Sequence, residues 1–101
     1  MSNGHKCVVG THARRRIRER LCVPQKKVQS YVDKAYDLGI KHKDTDGELQ
    51  KYFDMLYLKY KKANNIRIYK NTVFIFAGKF LITVLILPQE LIEYIKERKL
   101  K

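Results

Sequence analysis

Residues 66–87 read IRIYKNTVFIFAGKFLITVLIL, and this stretch decides the fold. It holds three runs rich in β-branched and aromatic residues: Ile66–Tyr69, Thr72–Phe76 and Phe80–Leu87. Lys70-Asn71 and Ala77-Gly78-Lys79 separate them. Both breaks are short enough for hairpin turns, the glycine-bearing one carrying the stronger signal, so the spacing predicts an antiparallel three-stranded meander. In the first strand Ile66 and Ile68 take one face, while Arg67 and Tyr69 take the other. That second face is where a site is expected. Pro88 ends the sheet and starts a final helix that turns Leu91, Ile92 and Ile95 inward.

Upstream of the meander the period is helical. Met1–His5 is polar and reads as a disordered tail, and Lys6–Val9 as a short strand. Thr11 is the expected N-cap of a helix over His12–Cys22, where Ala13, Ile17 and Leu21 form a narrow apolar stripe. Pro24 suits the first turn of a second helix with Val28, Tyr31, Val32, Ala35 and Leu38 buried and Gly39 at its C-cap. Lys41–Asp46 reads as a polar connector. Thr45 and Glu48 have capping-box spacing, and Leu49, Tyr52, Phe53, Leu56 and Tyr60 recur down a third helix that ends near Lys62–Asn64. The expectation is one α+β domain over residues 1–101. A short N-terminal strand and three helices pack on one face of the meander, with a short C-terminal helix.

Charge points to the partner. Lys and Arg number 22 against 10 Asp and Glu, a net charge of +12, while a 45% hydrophobic fraction leaves material for a core. A domain this basic concentrates polyanions around itself, and nucleic acid, above all RNA, is the expected partner. The apolar stretch Val73–Leu87 is interrupted by Gly78 and Lys79, so no membrane span is expected, and Met1–Val9 reads as no signal peptide, so none is expected. Cys7 and Cys22 belong to no CxxC pair. Reduced thiols in a cytoplasmic protein are expected rather than a disulfide between them. No set of side chains has metal-ligand spacing, and no phosphate-binding glycine loop or nucleophile elbow occurs, so neither metal nor cofactor is expected.

Two basic clusters stand out. Arg14, Arg15, Arg16, Arg18 and Arg20 lie within seven positions with a single acid, Glu19, among them. On a helix Arg14 faces Arg18 and Arg16 faces Arg20, and like charges at that spacing repel. Phosphates binding the guanidinium forks relieve that repulsion; the alternative is internal pairing to Glu19, Asp33 or Asp37. The second cluster is Lys59, Lys61, Lys62, Arg67 and Lys70, interleaved with Tyr57, Tyr60 and Tyr69, a mixture suited to backbone contact and base stacking. His12 and His42 are the remaining candidates for proton transfer. With Arg15, Arg67 and Tyr69, His12 would supply the base, acid and cations that RNA cleavage needs, if folding unites them.

Two segments carry a resemblance: Val8-Val9-Gly10-Thr11-His12-Ala13 running into Arg15–Arg20, and Val73–Lys79 followed by Leu81–Val84. They resemble the RelE/BrnT-like small toxins, in which a short strand and two helices precede an antiparallel sheet. The resemblance implies a metal-independent endoribonuclease, or a catalytically silent relative, with an antitoxin as protein partner. The Thr45–Tyr60 helix departs from that pattern as an insertion, and Phe80–Leu87 lacks the basic residue such toxins often place late in the sheet. Three functions are therefore expected to compete: a nucleic-acid binder acting by occupying its partner, a RelE/BrnT-like ribonuclease, and a phage-type, anti-CRISPR-like inhibitor of a host nuclease complex.

Overall fold

The structure, a computed structural model, describes residues 7–98; the tail expected over Met1–His5, and Lys6, lie outside the described residues. Four α-helices are present among them: α1 (Thr11–Leu21), α2 (Val28–Leu38), α3 (Gly47–Lys59) and α4 (Gln89–Glu97). The strands are β1 (Val8–Val9), β2 (Ile40–Lys41), β3 (Asn65–Tyr69), β4 (Thr72–Ala77) and β5 (Phe80–Ile86), with 3-10 turns at Gln25–Lys27 and His42–Asp44. The class is α+β. The expected meander β3–β4–β5 is the centre of a five-stranded mixed sheet ordered β1-β5-β4-β3-β2. β1 adds in parallel to β5, pairing Val8 with Phe80 and Val9 with Leu81. β2 adds antiparallel to β3, within what the sequence offered as the end of a helix and a polar connector. Two residues are too few to show a period, so β2 left no mark in the pattern.

The larger correction concerns layers. The helices cover both faces of the sheet, not one. Val73 and Ile75 point with Ile66 and Ile68 into a core closed by Leu49, Phe53 and Leu56 of α3 and Leu91 and Ile95 of α4. Phe74 and Phe76 point the other way, into a core closed by Ala13 and Ile17 of α1 and Val28, Val32 and Ala35 of α2. Thr72–Phe76 is buried throughout. A strand solvated on one side alternates apolar with polar; Val-Phe-Ile-Phe does not, because both its faces are dry.

Local expectations shift by one to five residues. Gly10, not Thr11, is the N-cap of α1, and no side chain caps it. The capping box does not form: Asp46 is the N-cap of α3, and Thr45 Oγ1 instead donates to the His42 carbonyl at 2.7 Å. α3 stops at Lys59, short of the expected Lys62–Asn64. α2 begins at Val28, because Pro24 leads into the 3-10 turn. Leu38, expected inside, is 54% exposed. Gly39 does end α2, but in an extended conformation, and close approach is what requires it. A Cβ there would sit 2.5 Å from the Ala35 carbonyl oxygen and 2.9 Å from Arg67 Cβ.

Both sheet edges are blunted by side chains. β1 reaches only the start of β5; beyond it Arg20 Nη1 donates to the Val84 carbonyl at 3.1 Å. At the opposite edge the Ile66 amide donates to the Tyr57 hydroxyl at 3.1 Å. Filling open strand edges in this way removes a template for unwanted pairing.

Candidate nucleic-acid interface

α1 forms because Ala13 and Ile17 bury one stripe against the sheet, and this leaves its arginines around the remaining circumference. Arg15, Arg18 and Arg20 are exposed, and Arg14 and Arg16 are partly covered. Among the described residues none of the five enters an ion pair. Asp33, one expected internal partner, instead accepts from the Cys7 amide at 3.0 Å and the Gln29 side chain at 3.2 Å. Arg16 Nε donates to His12 Nε2 at 2.8 Å. A ring nitrogen that accepts carries no proton, so in this arrangement the His12 proton sits on Nδ1. Arg20 spends one donor on Val84 and keeps four, since a guanidinium carries five N–H groups. Arg15 and Arg18 also line an open recess with Glu19, Cys22, Val23 and Pro24 at the C-terminal end of the helix.

The second cluster does not exist as one surface. Lys59 ends α3, with Nζ 5.7 Å from the Tyr60 ring centroid, and Lys61 and Lys62 follow in the exposed turn. Lys70 lies at the opposite end of β3, with Nζ 5.6 Å from the Tyr69 ring centroid. Arg67 lies on the other face of the sheet from α3. The alternation placed Arg67 and Tyr69 correctly together; the expectation that their face is open is overturned, because α2 covers it. Arg67 Nε donates to the Tyr36 carbonyl at 3.1 Å, Nη1 donates to the Ile66 carbonyl at 3.4 Å, and the guanidinium lies 5.0 Å from the Tyr36 ring centroid. Tyr36 is in the last turn of α2, whose carbonyls have no partner within the helix. Arg67 thus caps α2, and Tyr69 packs edge-on to Tyr31 with centroids 5.6 Å apart.

Among the described residues no hydrogen bond or ring contact joins His12 to Arg67 or Tyr69. His12 engages Arg16 on α1, which packs on β5, while Arg67 and Tyr69 engage α2 over β3. His42 pairs with a carboxylate: Nε2 lies 2.8 Å from Asp54 Oδ1, and the ring stacks on Phe53 with centroids 5.5 Å apart. Its recess is completed by Tyr57 and Leu58, and no cation lines it. Cys7 is buried, and burial together with nearby Asp33 pushes its thiol up to about 12, which makes it no nucleophile. Cys22 is exposed, and both cysteines are free. No group of three metal-ligating side chains occurs among the described residues, and no helix there is long and apolar enough to cross a membrane.

One feature escaped the sequence reading. Tyr60, Lys61 and Lys62 join Ala77, Phe80 and Ile82 around an open recess of about 380 Å³. Its residues come from the α3–β3 connection and from either side of the Gly78 turn, so no local period links them. The one available signal is alternation, which sets Phe80 and Ile82 on the same face. Compared with family models, with curated proteins and with solved structures, the chain matches none.

Proposed function

We propose that this protein binds nucleic acid, RNA before DNA, through the arginine face of α1, and acts by occupying its partner. The observation that carries the reading is the set of arginines on α1 that have no ion pair among the described residues. Five cations on an eleven-residue helix repel one another. Arg18 and Arg20, in the last turn, recover part of that cost from the helix dipole, but Arg14, Arg15 and Arg16 do not. Phosphate oxygens supply the missing counter-charge in the bidentate geometry that guanidinium favours. Catalysis is left out of the proposal because His12, Arg67 and Tyr69 engage different elements, and two of the three are committed to holding α2. Positive charge alone positions a phosphate; cleavage also needs proton transfer.

Fluorescence anisotropy with labelled RNA across a salt series tests this. If six or so phosphates are neutralised, affinity falls about a thousandfold between roughly 50 and 200 mM salt. The triple variant R14A/R15A/R18A keeps the fold, since alanine is the better helix former, and lowers the log–log salt slope by about three. A flat salt response overturns the reading. The same incubations leave the RNA intact; cleavage lost on Arg67→Ala or Tyr69→Phe would put the RelE/BrnT-like ribonuclease first. An antitoxin or a host nuclease complex that co-purifies with the chain would identify the occupied partner.

A further inference from the structure

We infer that the recess between Tyr60 and Phe80 takes one unpaired nucleobase, so that the bound nucleic acid is single-stranded; this rests on the nucleic-acid reading above. The walls are apolar, and two of them are aromatic rings. Phe80 is 48% exposed on β5, a large apolar side chain turned to solvent. The pocket is held from behind. Asn64 Oδ1 accepts from the Gly78 amide at 2.7 Å, and Asn65 Nδ2 donates to the Gly78 carbonyl at 3.1 Å. This clamp fixes the turn that carries Ala77 and Phe80 to the loop after Lys62. The rim is cationic: Lys61 and Lys62 are exposed, and neither enters an ion pair among the described residues.

An apolar floor with ammonium groups at its lip matches a flat base flanked by phosphates. Stacking on an aromatic wall is indifferent to base identity, because every base has a π-face. A base inside a duplex cannot enter without leaving its own stack, so duplexes are disfavoured. The recess opens on the α3 side of the sheet, the side opposite α1, and meets α1 only at the sheet edge. Gly10, the N-cap of α1, lies against Phe80, where a Cβ would stand 3.7 Å from ring atoms Cε1 and Cζ.

The test compares a labelled uridine dodecamer with an abasic dodecamer of the same charge, at one salt concentration. The protein is expected to bind the base-bearing strand roughly tenfold more tightly. Phe80→Ala erases that difference, Phe80→Trp preserves it, and K61A/K62A weakens both strands. The Trp variant, with thermal unfolding of each protein, separates loss of stacking from loss of fold. Equal binding of the two strands by the unaltered protein overturns the base recess while leaving the nucleic-acid reading intact; failure to bind either removes both. A recess that instead takes an acidic aromatic peptide or a fatty acid, lost on Phe80→Ala and without base preference, would assign it to a protein or lipid partner.

Discussion

Arg67 shows how a residue that looks functional can be structural. Its position beside tyrosines and lysines in sequence suggested a site, but its guanidinium donates to the carbonyls of Tyr36 and Ile66, two of its five N–H groups. Arg67→Ala leaves the Tyr36 carbonyl uncapped and removes the stack on the Tyr36 ring, a loss of about 1–3 kcal/mol in denaturant unfolding. RNA affinity should change little, the reverse of the pattern expected for Arg15 and Arg18. Cys7 sets the response to alkali. The folded chain holds its proton to about 12, whereas an unfolded thiol with the ordinary value of 9.0 releases it earlier. Between those values the unfolded state binds fewer protons, so stability falls as pH rises. Burial moves Tyr31 and Tyr52 in the same direction. Urea midpoints should therefore drop above about pH 9, and Cys7→Ala should shrink that drop; an unchanged alkaline limb would assign it to the tyrosines alone.

Among the elements, the β3–β4 hairpin carries a correctable cost. Both turn residues have positive φ, 50° at Lys70 and 63° at Asn71, as a type I′ turn demands. Asparagine tolerates that region but lysine does not, at a cost of about 1 kcal/mol. The double substitution K70N/N71G places the preferred pair in the turn and should raise the thermal midpoint with Tyr69 still opposite Thr72; a lower midpoint would show that Lys70 is needed over the Tyr69 ring. The hairpins and the helical faces were legible because each repeats a period over several turns or residues. Helix boundaries were less so, since Thr11 and Thr45 both offer a hydroxyl at a plausible offset and tertiary contacts choose Gly10 and Asp46 instead. The site divided in the same way. The arginines of α1 are consecutive in sequence and needed only a helix to become a surface. The Tyr60–Phe80 recess joins residues twenty positions apart, and only the closed sheet brings them together.

For the whole molecule the decisive arrangement is two apolar cores on one sheet. The unbroken Val73–Phe76 run carries the mark of a sheet with two dry faces, but it does not say which helices cover which face. That depends on where α3 and α4 return, which no local pattern records. Because β4 supplies Phe74 and Phe76 to one core and Val73 and Ile75 to the other, neither core survives the departure of that strand. Heat should therefore melt α1–α2 and α3–α4 together, as one transition. In deuterium oxide the amides of Val73–Phe76 should be the last to exchange, with protection that reports the global unfolding free energy. Two separate melting events, or faster exchange at β4 than along α1, would mean the partition yields before the halves it divides.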